Sequence, residues 1–190
     1  MLVGCASNVK YKHDVDSLAS IVKDGDLIFR RGTGVVGRIV TTTDREGLYS
    51  HVGIIVTIDN THYVIHAVPH EHEYEGDYDR VKCENIAHFV HRYNDADIGI
   101  YRLDVSDSIK SIATQHAIRL SKKDVGFDHN YNLEDTTTLY CTEFVEYVYG
   151  FANISISEGR RSNVKIATSS DLYIMPSDLT NCSRLSLVYN

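Results

Sequence analysis

Two stretches rich in β-branched residues, YSHVGIIVTID (49–59) and HYVIHAV (62–68), are separated only by a short polar connection. Runs of this composition predict β-strands. Because Asn60 and Thr61 have the character of a tight turn, the two strands are expected to be antiparallel neighbours. This part of the sequence therefore predicts a β-hairpin, and with it an antiparallel sheet.

The rest of the chain is predicted to be a mixture of helices and strands. Amphipathic spacing and capping residues indicate helices, and apolar runs between glycines or polar residues indicate strands. Helices are expected at 14–23, 35–40 (or a mobile segment there), 81–93, 106–123 and 139–150, and further strands at 25–32, 98–103 and in the C-terminal RLSLVYN. Because βαβ regularity is absent, we expect an α+β fold whose helices pack on a mostly antiparallel sheet.

Composition and charge exclude some classes of protein. The chain has 190 residues and a net charge of -7. Nucleic-acid binding needs a basic surplus to neutralise phosphates, so we do not expect a nucleic-acid partner. No stretch approaches the ~20 apolar residues that a membrane-spanning helix needs. The length is that of one ordinary globular domain.

The four cysteines do not form a recognisable framework. Cys5, Cys83, Cys141 and Cys182 are too scattered for a disulfide scaffold, and none belongs to a CxxC pair that would indicate a thiolate zinc site. A disulfide between Cys83 and Cys182 stays open at this point.

The N-terminus carries a short motif. The tetrapeptide LVGC, residues 2–5, resembles the lipobox of bacterial lipoproteins, in which the cysteine carries the lipid. The charged region and most of the apolar region of a signal peptide do not precede it, so either the start of the chain was trimmed or the match is a chance one in an apolar tail. We interpret 1–13 as a tail and 14–190 as one domain. Lipidation of Cys5 would attach the protein to a membrane of the cell envelope, whereas a chance match would leave it cytoplasmic.

Cys141 is the candidate nucleophile. The segment LYCTEFVEYVYG (139–150) predicts a helix with this cysteine in its first turn, preceded by threonines at 136–138 that can cap it. Unpaired N–H groups at a helix N-terminus favour an anion and so lower the pKa of a thiol. The alternative is that Cys141 is a small buried hydrophobic residue.

Two histidines of the predicted hairpin are candidates for the partner groups. His51 begins an apolar strand, and Gly53 allows another segment to approach it closely. His51 is the candidate base for Cys141, the alternative being a solvent-facing strand end. His66 interrupts the returning strand at the level that faces His51, where it can orient that imidazole. The alternative is a core histidine bonded to a backbone carbonyl.

Tyr140 directly precedes the candidate nucleophile. Its hydroxyl, together with the backbone N–H of Cys141, can form an oxyanion site. The chain has 13 tyrosines, so aromatic packing is the alternative role.

Two further motifs are weaker. The loop sequence PHEHEYEGDYDR contains His70, Glu71, His72 and Glu73, but neither HExxH nor a tetrahedral ligand set can be recognised. We expect a solvated loop, with no metal and no other cofactor. The sequence GTGVVG (32–37) matches GxGxxG, but no βαβ unit surrounds it, so we expect a cleft wall rather than a nucleotide site.

Three motifs occur together in a defined order. They are GDLIFRRG (25–32), YSHVGIIV (49–56) and YCTEFVEYVY (140–149). This combination resembles the circularly permuted papain-like cysteine hydrolases of the NlpC superfamily, the YiiX/YaeF-like group. In papain the cysteine precedes the histidine, whereas in the permuted branch the histidine strand comes first, as His51 precedes Cys141 here.

The resemblance implies a permuted, NlpC-type papain-like fold and hydrolysis of an amide through a thioester acyl-enzyme. Cys141 would attack, His51 would act as base and then acid, His66 would orient His51, and Tyr140 would help to stabilise the oxyanion. The third position of the family is often acidic, so a histidine there implies weaker support for the imidazolium.

The same resemblance suggests cell-envelope peptides as substrates. Lipid acyl hydrolysis or acyl transfer by the same residues is a rival activity. The alternative outside enzymes is an inactive envelope module that binds a peptide or a lipid. The sequence does not predict the oligomeric state.

Overall fold

The computed structural model describes residues 11–32, 35–44, 47–93, 96–166 and 169–190, so Cys5 lies outside the described residues. In chain order the elements are α1 (Val15–Ile21), β1 (Leu27–Arg30), α2 (Val35–Thr43), β2 (His51–Ile58), β3 (Thr61–Val68), β4 (Arg80–Asn85), α3 (Ile86–His91), β5 (Ile98–Leu103), α4 (Asp107–Lys122), β6 (Gly126–Phe127), β7 (Thr138–Leu139), α5 (Cys141–Gly150), β8 (Ser162–Ile166), β9 (Ser169–Tyr173), α6 (Pro176–Thr180) and β10 (Leu185–Tyr189).

One large sheet organises the molecule. Its strand order is β10-β5-β1-β2-β3-β4-β6-β7, and β8 and β9 form a separate hairpin. Neighbouring strands of the large sheet are antiparallel except for β6 and β7. This confirms the prediction of an α+β fold with a mostly antiparallel sheet.

The predicted hairpin is the pair β2–β3. Ile54 is paired with Ile65 in its ladder. The turn residues are Asp59 and Asn60, with φ angles of 48° and 62°, the conformation of a tight hairpin turn that asparagine and aspartate tolerate. The turn lies one residue earlier than the sequence indicated, because Thr61 already belongs to β3.

Both faces of the central strands are buried. Successive side chains of a strand point to opposite faces. Leu27 and Phe29 of β1 therefore pack in one apolar cluster with Phe144 of α5, while Ile28 packs in a second cluster with Phe89 of α3. Polar side chains on these strands must find their partners inside the protein.

The prediction of a helix over 81–93 is wrong for its first half. Residues Arg80–Asn85 form β4, and α3 begins only at Ile86. The side chain of Asn85 caps that helix by accepting the N–H of Ala87 at 2.8 Å. The physical reason is non-local, since ladder pairing with β3 stabilises the strand whatever its local helical preference.

The C-terminal third holds the element that the sequence did not predict. The β8–β9 hairpin has short strands: in β8 only Val164 and Ile166 alternate with polar residues, and β9 has no alternating apolar pattern, so the strand signal is weak. The expected helix at 35–40 is α2, and the expected last strand is β10. None of the helices in the described part of the chain combines the length and apolarity required to span a bilayer.

Candidate active site

Strands β2 and β3 bring His51 and His66 together. His51 is the first residue of β2, and His66 lies inside β3. The pairing of Ile54 with Ile65 places Gly53 opposite His66, so the two histidines lie diagonally on one face. Nε2 of His51 is 2.7 Å from Nδ1 of His66, which is hydrogen-bond distance. The contact between imidazoles that the hairpin predicted is thus present.

Gly53 makes this approach feasible. A Cβ atom at this position would lie 2.5 Å from Cγ1 of Val64 and 3.1 Å from Cβ of His66. Both distances are shorter than normal carbon contacts. The missing side chain therefore provides the space in which His66 packs beside His51.

Phe89 of α3, a member of the second apolar cluster, packs against both imidazoles. Its ring is stacked on His51 and meets His66 edge-on, with centroid distances of 6.0 and 5.2 Å. Burial lowers the pKa of His51 well below its ordinary value, and the neighbouring His66, Arg30 and Arg92 act in the same direction. His51 is therefore a neutral imidazole at neutral pH, which is the protonation state of a general base.

Glu84 of β4 lies behind His66. Its Oε1 atom is 2.9 Å from Nε2 of His66, a hydrogen-bond distance with imperfect alignment. Neither atom makes a hydrogen bond with any other residue that the structure describes. Burial alone would raise the pKa of Glu84, but His66 and Arg92 outweigh burial and lower it to about 2. Glu84 is therefore an ionised carboxylate at neutral pH.

Two arginines balance the buried carboxylates. Arg92 contacts Glu84 at 2.6 Å and Glu71 at 2.9 Å. Arg30 contacts Glu71 at 2.5 Å and stacks over the ring of Phe89 at 4.2 Å from its centroid. Removal of one member would leave a buried charge without its partner, so this cluster stabilises the fold as a unit.

Cys141 begins α5 and lies against β2. The backbone N–H of Val52, the residue after His51, reaches its sulfur, as do the N–H groups of Thr142 and of Cys141 itself. Burial raises the pKa of the thiol to about 11, and these N–H groups oppose it only in part. The helix N-terminus expected to favour the thiolate is present but outweighed by burial. In the resting state the thiol of Cys141 and the imidazole of His51 are both neutral.

Tyr140 anchors the start of α5. Its side chain is buried, and its hydroxyl oxygen accepts the N–H of Ile174 at 3.0 Å. The hydroxyl of Thr142 donates to the carbonyl of Ile174 at 2.6 Å. The hydroxyl of Tyr140 is the acceptor in its hydrogen bond with Ile174, so its O–H can still donate to a second group.

Cys141, His51 and Tyr140 line one pocket. Its volume is about 680 Å³, within the ordinary range of small-molecule sites. Most of the lining is aliphatic or aromatic and comes from α2, the end of β3, and the segment before α6; it includes Ile39, Val40, Val68, Pro69, Phe127, Tyr131, Val164, Tyr173, Ile174, Met175 and Pro176. The groups around Cys141 therefore favour an apolar ligand portion.

The two weaker motifs take other places. His70 and His72 face Asp79, at 3.8 and 2.8 Å, whereas Glu71 and Glu73 face arginines. The structure thus does not bring those four residues together as one ligand set. Part of the glycine-rich segment lies outside the described residues, but Gly32 and residues of α2 line the pocket, as expected for a cleft wall.

A cysteine at the start of a helix and a histidine on an antiparallel sheet, both lining one pocket, are the arrangement of the papain-like class, and a histidine that precedes the cysteine along the chain is typical of its permuted form. The model of the permuted papain-like amidase family YaeF/YiiX, C92, matches residues 21–189. The chain belongs to this family, and it is accordingly an enzyme of the cysteine amidase and peptidase class.

The fold is also that of a solved relative. The crystal structure of the metalloprotein YiiX from Escherichia coli O157:H7 superposes with a TM-score of 0.72 at 16% sequence identity. The similarity covers 90% of this chain and 98% of that chain. No curated protein matches this sequence.

Sequence reasoning missed Glu84, Arg92 and Arg30. Glu84 and Arg92 fall in the segment for which a continuous helix was expected. A signal was present, because asparagine is a preferred N-cap residue. If Asn85 is interpreted as an N-cap, the helix begins at Ile86. The residues before it, including Glu84, are then free to form a strand.

Proposed function

We propose that Cys141, His51 and His66 hydrolyse an amide bond through a thioester acyl-enzyme. The supporting observation is the 2.7 Å contact between His51 and His66 at the pocket that also contains Cys141. Since His66 uses Nε2 of His51, Nδ1 is the ring nitrogen left to accept the thiol proton.

The reaction proceeds in two halves. His51 takes the proton of Cys141 while the sulfur attacks the amide carbon, and the oxyanion is stabilised by the N–H of Cys141 and the hydroxyl of Tyr140. The carbon–nitrogen bond then breaks as His51 returns the proton to the leaving amine. A water molecule, deprotonated by His51, attacks the thioester, and the proton goes back to the sulfur with release of the carboxylic acid.

Proton transfer is coupled to attack in this scheme. Burial disfavours both the thiolate of Cys141 and the imidazolium of His51, so a stable ion pair does not precede the substrate. The charge forms only when the developing oxyanion can share it with the fixed N–H groups at the start of α5.

The acyl part of the substrate is apolar in this proposal. Val68, Phe127, Tyr131 and Met175 line the pocket that holds the sulfur, and burial of a hydrocarbon chain against such side chains contributes about 25 cal/mol per Å². This favours an amide or ester of a lipid acyl chain over a polar stem peptide of the cell wall.

Purified protein should be incubated with two amides, one of a long-chain fatty acid and one a cell-wall stem peptide. Mass spectrometry of the intact protein should show an acyl adduct on Cys141 with the lipid amide, and Cys141→Ala should show neither adduct nor turnover. Faster cleavage of the peptide would reverse the substrate assignment. Absence of an adduct and of turnover with both amides would favour an inactive binding module.

Membrane attachment through Cys5 suits a lipid substrate. This attachment rests on the LVGC motif and would put the protein in the cell envelope. Incorporation of a labelled fatty acid by the wild-type chain, and its loss in Cys5→Ser, is the expected result in a bacterial host. Equal labelling of both chains, or none in either, would contradict lipidation of Cys5.

The solved relative is a metalloprotein, and three residues of this chain could serve as metal ligands. His66, Glu71 and Glu84 form a buried group whose donor atoms lie within 4.8 Å of one another. However, Arg92 already contacts both carboxylates and Arg30 contacts Glu71, so a cation there would face two guanidinium groups. This donor set does not fit a metal, and no step of the reaction is assigned to one.

A further inference from the structure

We propose that Glu84 is a positioning residue that selects the tautomers of two successive imidazoles, His66 and His51. Glu84 is not among the residues that line the pocket, and it would act through His66. The inference rests on the proposed roles of Cys141 and His51, and it concerns the step that prepares the base before substrate is bound.

The first link joins the carboxylate to His66. An ionised carboxylate has no proton and only accepts hydrogen bonds. Its Oε1 atom lies 2.9 Å from Nε2 of His66, so that nitrogen must carry the hydrogen. A neutral imidazole has a single N–H group, and Nδ1 of His66 is left with a lone pair.

The second link joins the two rings. Nδ1 of His66 lies 2.7 Å from Nε2 of His51, and a lone pair on the former requires an N–H on the latter. His51 then has its only hydrogen on Nε2 and an unprotonated Nδ1. This is the tautomer in which the nitrogen free of His66 can take a proton from the thiol of Cys141.

The surroundings fix Glu84 in this role. Its other oxygen, Oε2, is held by Arg92 at 2.6 Å and by His88 at 2.9 Å, which leaves Oε1 to His66. The side chain of Glu84 is only 4% exposed, so water cannot readily replace His66 as its hydrogen-bond partner.

The same chain of contacts acts when the thiol proton moves. His51 becomes an imidazolium, and its Nε2–H remains donated to the lone pair of His66. The negative charge of Glu84 then stabilises the positive charge across a single ring, inside a buried region where such interactions are strong. Without the carboxylate, the hydrogen of His66 can occupy Nδ1, and His51 would hold its hydrogen on the nitrogen that must accept.

The test is long-range ¹H–¹⁵N NMR of histidine side chains, which distinguishes the two N–H tautomers without substrate. In the wild-type protein at slightly alkaline pH, His51 and His66 should both show the Nε2–H form. In Glu84→Gln, whose amide can either donate or accept, a substantial fraction should change to Nδ1–H. Amidase kcat should fall roughly 10²-fold or more with KM little changed, as expected for a wrongly protonated base.

Glu73→Gln is the matched control. Glu73 also contacts Arg92 and His88, at 3.3 and 3.5 Å, but not His66. Both tautomers and kcat should be those of the wild type. An Nδ1–H form of His51 in the wild type, or unchanged tautomers in a folded Glu84→Gln, would overturn the proposal; the wild-type spectrum decides even if Glu84→Gln does not fold. If the protein shows the expected tautomers but has no amidase activity, the proposed function is refuted and the role of Glu84 is not.

Discussion

The backbone N–H of Val52 reaches the sulfur of Cys141, so the proposed nucleophile lies against the residue that follows its proposed base. The two side chains come from distant parts of the chain, and both line one pocket. Because burial keeps both groups neutral, reactivity of the sulfur depends on the imidazole rather than on a stable thiolate.

Thiol labelling at neutral pH should distinguish Cys141 from the other free cysteines, Cys83 and Cys182. A thiol with a pKa of about 11 has only about 10⁻⁴ of its population as thiolate at pH 7, so fast reaction requires His51. We expect iodoacetamide to modify Cys141 first in the wild type. In His51→Ala the labelling of Cys141 should become slow while that of Cys83 is unchanged. Equal, slow labelling in the wild type would contradict activation of the sulfur.

Replacement of the two imidazoles should have unequal effects. His51→Ala should abolish measurable turnover, because a general base contributes about 10²–10⁴-fold. His66→Ala should lower kcat less, since His66 orients His51 and does not touch the substrate. Steady-state kinetics of both variants provide the comparison. Comparable losses would mean that His66 has more than an orienting role.

Tyr140→Phe tests the oxyanion role of the hydroxyl. The change leaves the buried N–H of Ile174 without its acceptor, which should cost about 1–3 kcal/mol of stability. It should also lower kcat by about 10²–10³-fold if the hydroxyl stabilises the oxyanion.

Tyr149→Phe is the control for that variant. The hydroxyl of Tyr149 is also buried and donates to the carbonyl of Gly25 at 2.6 Å, away from the pocket lining. Denaturant titration should show a similar loss of stability for both variants, with kcat reduced only in Tyr140→Phe. An equal kcat for the two would assign Tyr140 to packing alone.

Gly53→Ala should displace His66. The added Cβ would lie 2.5 Å from Val64 and 3.0 Å from the carbonyl oxygen of Ile65, so the hairpin must shift. Overpacking of this kind costs about 1–3 kcal/mol, and it should reduce kcat through the altered contact between imidazoles. Gly150→Ala, where the new Cβ meets no atom within 4 Å, should be as stable as the wild type and fully active. Unchanged kcat in Gly53→Ala would show that the hairpin absorbs the methyl group.

Glu143 predicts a pH dependence of stability. Burial raises its pKa to about 8, although the N–H of Tyr140 donates to it. The unfolded value is about 4.3, so between these two pH values the folded protein binds one proton more than the unfolded chain. The contribution of this group to the free energy of unfolding therefore falls as pH rises, by up to about 1.4 kcal/mol per unit.

Urea unfolding at several pH values between about 5 and 8 checks this sign. Glutamine keeps the acceptor oxygen but does not ionise, so Glu143→Gln should lack the decline. The stability of the variant relative to the wild type should increase with pH. Glu84, whose pKa is lowered to about 2, acts in the opposite sense, and its contribution is lost only as pH falls below about 4. Parallel curves for wild type and Glu143→Gln would show that Glu143 ionises normally.

Local patterns were sufficient to predict the hairpin and the helix of Cys141. β-branched residues and a tight turn specify β2 and β3 within 20 residues, and the diagonal approach of His51 and His66 follows from antiparallel pairing. The apolar spacing after Cys141 specifies α5 in the same way. These signals depend only on neighbouring residues, which is why a single sequence contains them.

The electrostatics of the site could not be predicted in this way. Glu84 was placed on a helix, and its contact with His66 exists only because β4 pairs with β3. The raised pKa of Cys141 depends likewise on burial by distant segments, whereas the sequence shows only the helix N-terminus. Desolvation and cross-strand contacts are properties of the assembled sheet.

Three consecutive strands, β2, β3 and β4, each contribute one member of the row formed by His51, His66 and Glu84. Side chains alternate between faces along a strand, so a single-residue insertion or deletion inside β4 would turn Glu84 away and present Cys83 or Asn85 instead. The alternation of faces does not restrict the loop between β3 and β4, but Glu71 in that loop must still reach Arg30 and Arg92. Length variation among natural homologues should accordingly spare the strands and the part of the loop around Glu71, even at positions remote from the sulfur.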